Sequence, residues 1–184
     1  MANDRGSLFA GILLIAFGGL FFVAQMAGGL FRALGLTVGW GQLWPMTIVL
    51  TGLAFWLAIL VWWDRRAQLA GLAVPGTIVL VNGLLLQYQS LSGHWDSWAY
   101  LWTLEPISVG LGLLMLYALG QRARGLLIAA SILGGIGIAF LLVFGSIWGG
   151  WVLQSVTAIV LILAGVLLLM RGAKAQVRGP FPPE

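Results

Sequence analysis

Few residues in this chain are equipped for chemistry. The stretch SGHWDSW (92–98) holds the one histidine, His94, with Asp96 two residues on. A zinc site wants three or four ligands, and one His beside one Asp falls short of that. A Ser-His-Asp nucleophile needs a sheltered pocket, which a turn flanked by Trp95 and Trp98 does not promise. The stretch therefore reads as a polar turn, with a single metal or pigment ligand as its alternative. Glu105 stands between Trp102 and Pro106. Its carboxylate is expected among lipid headgroups, where it favours the positive end of a helix; the functional alternatives are proton or cation capture, or a polar contact to a partner. Asn82 and Gln87 interrupt an apolar run. An amide in hydrocarbon seeks a partner on another helix, or else lines the path of a solute. Gln154, Ser155 and Thr157 read the same way. The chain has no cysteine, which excludes disulfide and thiol chemistry. Its glycine cluster at 134–137 lies deep in an apolar run, with no lysine and no preceding strand, so it is no nucleotide loop. No catalytic residue, metal site or cofactor site is expected.

The elements that position these residues follow from composition. The chain of 184 residues is 61% hydrophobic and 8% charged, against about a quarter charged in an ordinary globular domain. Water is the wrong solvent for such a surface; lipid suits it. A helix needs about 20 apolar residues to cross a bilayer. Breaks in the pattern give six such spans, at about 8–27, 43–63, 69–89, 99–119, 125–145 and 150–170. The last two are divided at GSIWGG (145–150), within a stretch from 125 to 170 that carries no charge. The runs are apolar all round and do not alternate, so strands of a barrel are set aside. The run 8–24 has the look of a secretory leader, with Arg5 ahead of it and AQMA (24–27) behind; it is read as a retained span. The fold class expected is an all-α, polytopic transmembrane helical bundle forming a single domain over 1–184.

Charge then sets direction. Six spans put Arg5, Arg65, Arg66, Arg122, Arg124, Arg171, Lys174 and Arg178 on one side and leave Arg32 on the other. By the positive-inside rule both termini are expected in the cytoplasm, in a bacterial inner membrane. Scattered basic residues of this kind orient a membrane protein rather than form a face for nucleic acid, so no nucleic-acid partner is expected. Trp44, Trp95, Trp98, Trp102 and Trp151 fall at the outer ends as interfacial anchors. Pro45 and Pro106 suit the first turn of an entering helix, where a missing N–H costs nothing. The segment 28–42 is long for a turn; Phe31, Leu34, Leu36 and Val38 are expected to lay it on the outer surface. The tail 172–184, basic and then proline-rich, is expected to be mobile.

The spans also echo one another. GILLIAFGGLFFVAQ (11–25) matches GLAVPGTIVLVNGLLLQ (71–87) loosely, and GLLIAASILGGIGIAFLLVFG (125–145) makes a weaker third copy. The reading is three helical hairpins, at about 8–66, 69–122 and 125–171. Gly11, Leu14, Ile15, Gly18 and Phe21-Phe22, followed by Leu43-Trp44-Pro45 and Gly52, resemble the LiaI/LiaF-like transmembrane region, here in tandem copies. That resemblance implies a small membrane protein associated with bacterial envelope stress, or an anchor for a soluble domain, and it implies no catalytic residues. The chain departs from the pattern in its repeated copies and in carrying no soluble domain of the LiaF type.

Charge-poor crossings argue against an ion pump, which keeps ionisable groups in the membrane. The 27 glycines offer flat faces for close helix packing, with Gly18-Gly19, Gly110, Gly112, Ala130, Gly134, Gly135 and Gly137 the main candidates. The expected function is a non-enzymatic membrane scaffold or assembly protein, held in the lipid bilayer with other membrane subunits or copies of itself. Two alternatives stand beside it. One is an accessory subunit of an energy-converting or photosynthetic complex. The other is a transporter of a neutral or apolar solute, with Asn82 and Gln87 lining its path.

Overall fold

Long apolar runs without internal breaks fold as helices here because only a helix satisfies its own backbone in lipid. The structure, a computed structural model, describes residues 2–33, 35 and 39–177, with backbone alone for 2–4, 24, 27–33, 40 and 173–177. Six long helices carry the fold: α1 (Ala2–Ala33), α2 (Pro45–Val61), α3 (Ala73–Ser92), α4 (Leu104–Leu119), α5 (Arg124–Trp148) and α6 (Gly150–Val177). Short helical turns join them, notably Trp40–Leu43, Arg66–Leu69 and Trp98–Leu101. No strand occurs among the described residues.

Local chemistry sets the ends. Pro45 opens α2 in its first turn. Gly93 closes α3 at φ 72°, a left-handed conformation that glycine adopts without penalty. Gly150, at φ 67°, separates α5 from α6 within the GSIWGG break. Five helical stretches are long and apolar enough to cross a bilayer, and the pair Trp95–Leu101 and Leu104–Leu119, bent by 57°, makes a sixth when counted as one span. The fold is thus an all-α polytopic bundle.

Two segments run differently from expectation. Helix α1 continues through GGLFRA to Ala33, so the segment that joins it to α2 begins later than residue 28. The side chains of Phe31, Leu34, Leu36 and Val38 lie outside the described residues. Helix α6 runs through the first part of the tail to Val177, and residues 178–184 also lie outside.

Among the described residues, each long helix packs on the one before it and the one after it, and no substantial contact joins long helices that are not consecutive. The bundle is an open row. Its tightest seams are made by glycine. A Cβ at Gly52 would come within 2.6 Å of the Leu80 backbone nitrogen, and one at Gly83 within 2.6 Å of the Val49 nitrogen, so α2 and α3 touch backbone to backbone. Gly112 lies against Val74 of α3, and Gly110 against Ala130 and Gly134 of α5. These α2–α3 and α4–α5 seams fall between the three hairpins read from the sequence. By contrast, a Cβ at Gly11, Gly18 or Gly19 of α1 would meet nothing within 4 Å. A cavity of about 240 Å³, walled by Ile12, Leu13, Leu53 and Trp56 among others, opens between α1 and α2.

Little is buried in such a row. Val49, Ile59, Ala73, Leu85, Leu116 and Ala130 form the apolar core, while Ile15, Leu169 and Trp151 are each more than 70% exposed. Exposed side chains of this size are stable against hydrocarbon and unstable against water.

Candidate functional site

A proline creates the most unusual feature of the row. Pro106 has no N–H to give the Trp102 carbonyl, so the helix Trp98–Leu101 cannot run on into α4. Instead Glu105 N–H donates to Trp102 O (3.0 Å) and Thr103 Oγ1 to Tyr100 O (2.6 Å), and the chain bends at 102–103. Helix α4 is left with 16 residues, about 24 Å at 1.5 Å per residue. The hydrocarbon layer is about 30 Å thick. The first turn of α4, with Glu105, therefore starts short of the ends of its neighbours.

Four glycine contacts fix how deep. Helices α3 and α4 run antiparallel, with Gly120 against Ala67 and Gly112 against Val74. Continuing that register brings Glu105 to Asn82, midway along α3, and the Asn82 amide Nδ2 donates to Glu105 Oε2 at 2.8 Å. On the other side, Gly110 meets Gly134 and Gly137 meets Ile107, which puts Glu105 level with the middle of α5. Glu105 is half-buried, level with the middle of both neighbouring helices. The reason is the bend, which puts 95–101 ahead of the start of α4. Asn82 Nδ2 also donates to Ile78 O (3.0 Å). Among the described residues, no other side chain donates to Glu105.

Further along α3, Gln87, Gln89 and Ser90 tie loops to the helix. Gln87 Nε2 donates to Gln42 O (2.8 Å), on the α2 side of α3. Asn82 and Gln87 thus serve different neighbours and do not converge. Gln89, fully buried, donates to Ser97 Oγ (3.3 Å), which in turn donates to His94 O (2.6 Å). Ser90 Oγ donates to Gly41 O (3.1 Å). Thr77 Oγ1, Gln87 Oε1 and Gln89 Oε1 are buried without a hydrogen-bond partner.

His94 and Asp96 are exposed in their turn. No group of three or more His, Cys, Asp or Glu side chains able to hold a metal occurs among the described residues. Trp95, Trp98 and Trp151 are exposed. Trp102 is packed instead, its ring 5.8 Å from Phe140 and 5.4 Å from Phe144, with its indole N–H given to Ala99 O. Thr47 donates to Trp44 O at the start of α2.

Sequence reasoning passed over Gln42, Gln89 and Ser97. One signal was present: Gln89 follows Asn82 by seven residues, two helical turns, and so shares its face. The partner of Gln87 is a backbone carbonyl, which no side-chain pattern announces.

At one end of the row Arg5 donates to Asp64 Oδ1, joining the start of α1 to the end of α2. The guanidinium holds the Asp64 carboxyl below its ordinary range. Arg66 lies over the Trp63 ring at 5.1 Å and Arg122 over Tyr117 at 5.3 Å. The other end carries the turn with His94. No family model matches the chain, and no curated protein or solved structure matches it.

Proposed function

We propose that this chain is a non-enzymatic scaffold or assembly protein of a bacterial inner membrane, with its arginine-rich end in the cytoplasm. The observation that carries the reading is the Glu105–Asn82 pair, set at mid-depth in a row of helices that does not close on itself. An ionisable group at that depth is costly, and membrane proteins keep one where a partner or a path needs it. One amide donor leaves much of the carboxyl unsatisfied in a medium without water. A hydrogen-bond donor from a neighbouring subunit completes the arrangement, and the uncovered faces of the row give that subunit room. The resemblance of the first hairpin to the LiaI/LiaF-like region favours an envelope setting.

Extraction into native-lipid polymer discs tests this. The wild-type chain is expected to bring a membrane subunit with it in fixed ratio. Glu105→Ala should release that subunit while helical content and melting temperature stay near those of wild type; Gln121→Ala, in an exposed loop, should not. A chain that leaves the membrane alone, or a companion held equally by Glu105→Ala, would sink the reading.

A further inference from the structure

At the arginine-rich end, Ala58, Trp62, Arg65, Gln68 and Leu69 line an open cavity of about 310 Å³. We propose that it holds the phosphate headgroup of an anionic phospholipid. The arginines around it differ in what they are free to do. Arg5 is taken by Asp64, Arg66 is stacked on Trp63 and donates to its carbonyl (3.3 Å), and Arg122 is stacked on Tyr117. Arg65 lines the cavity; its charge acts on neighbouring Asp64, but among the described residues its side chain has no hydrogen-bond or ion-pair partner. Its backbone N–H gives to Trp62 O at 2.8 Å, which closes the turn and holds the two residues together.

The cavity has the division of labour a lipid needs. Arg65 supplies charge and Gln68 an amide donor, the groups that meet a phosphate. Ala58 and Leu69 offer apolar wall where the glycerol and first methylenes leave the headgroup. Trp62 stands at the boundary, its ring backed by Phe9 at 5.4 Å, the position an indole favours at a membrane surface. No carboxylate lines the cavity itself, and neighbouring Asp64 is already paired with Arg5, so the ammonium of a zwitterionic lipid finds no free counter-charge there. The adjoining cleft of about 550 Å³ illustrates the contrast: it contains both Arg5 and Asp64, already paired, and so presents no free cation.

The full chain, reconstituted in phosphatidylcholine vesicles, is to be irradiated with a photoactivatable phosphatidylglycerol or phosphatidylcholine tracer. Labelling is then mapped by peptide. The glycerol lipid should label residues 58–69 well above the choline lipid. Arg65→Gln should lower that labelling about fivefold, the worth of one arginine at a charged surface; Arg65→Lys should restore much of it, and Arg122→Gln should leave it unchanged. Millimolar inorganic phosphate should not compete. Equal labelling by both lipids, an unaltered signal in Arg65→Gln, or displacement by inorganic phosphate overturns the proposal.

Discussion

Asp64 and Glu105 are carboxyl groups in opposite circumstances. Asp64 is at the wet end, more than half exposed, with Arg5 donating to it. That bond holds its carboxyl below the ordinary 3.8. A carboxyl that is more acidic when folded adds stability above the ordinary carboxylate range, and the contribution fades as pH falls through the lowered folded value. Water screens a pair this exposed, so its worth near neutral pH is small. Carbon-13 NMR of the Asp64 carboxyl in bicelles should therefore show an acidic titration that moves back towards the ordinary value in Arg5→Gln, with little change in melting temperature at pH 7. A titration indifferent to Arg5→Gln would contradict the pairing. Glu105 answers to geometry instead: the Asn82 amide in mid-row is its partner, and a proline one residue later explains how it got there. Both residue types and the Trp-x-x-Glu-Pro order were legible in the chain, but its depth was not. Proline at 106 fits the first turn of an entering helix and the restart of a broken one equally well.

At the scale of helices, glycine decides which seams are tight. Gly52 and Gly83 let α2 and α3 meet at backbone distance, and Gly110, Gly112 and Gly137 do the same around α4. A methyl at Gly83 faces the Val49 backbone, which has no rotamer through which to yield. Gly83→Ala is expected to cost about 1–3 kcal/mol, the usual penalty for overpacking, read as easier unfolding in mixed micelles by steric trapping. Gly18→Ala and Gly135→Ala meet nothing within 4 Å, and should unfold as wild type does. If Gly83→Ala behaved like these two, the α2–α3 seam would be looser than described. The sequence marked Gly18, Gly110, Gly112, Gly135 and Gly137 alike as packing candidates and passed over Gly83. Those that pack and those that face outward differ only in their rotation about the helix axis, which depends on where the next helix lies.

At the scale of the molecule, the row sorts its charges by end. Arg5 meets Asp64, and Gly120 meets Ala67, so the start of α1, the 64–69 turn and the 120–124 turn share one end. The Trp95–Ser97 turn with His94 is at the other. The chain has no cysteine of its own, which makes single-cysteine labelling clean. In sealed inverted vesicles, Gln121→Cys should react with a membrane-impermeant maleimide at once, and His94→Cys only after the vesicles are opened. The reverse order would turn the molecule over, and equal reaction of both in sealed vesicles would mean that the described row does not cross the bilayer.

Some of this protein is dictated by residues read in order. Helix type, the number of apolar runs, the break at 145–150 and the segregation of arginine into alternate turns are local matters. They depend on hydrophobicity summed over about 20 residues and on the backbone's need for partners in lipid. Tertiary structure alone decided three things: that the helices line up as an open row, that α4 begins at mid-depth, and that Asn82 turns to Glu105 while Gln87 turns to a backbone carbonyl. The physical reason is common to all three. Lipid solvates every apolar face alike, so hydrophobicity does not choose among neighbours in a membrane. The choice falls to close glycine contacts and to a few hydrogen bonds, and these exist only once the helices are side by side.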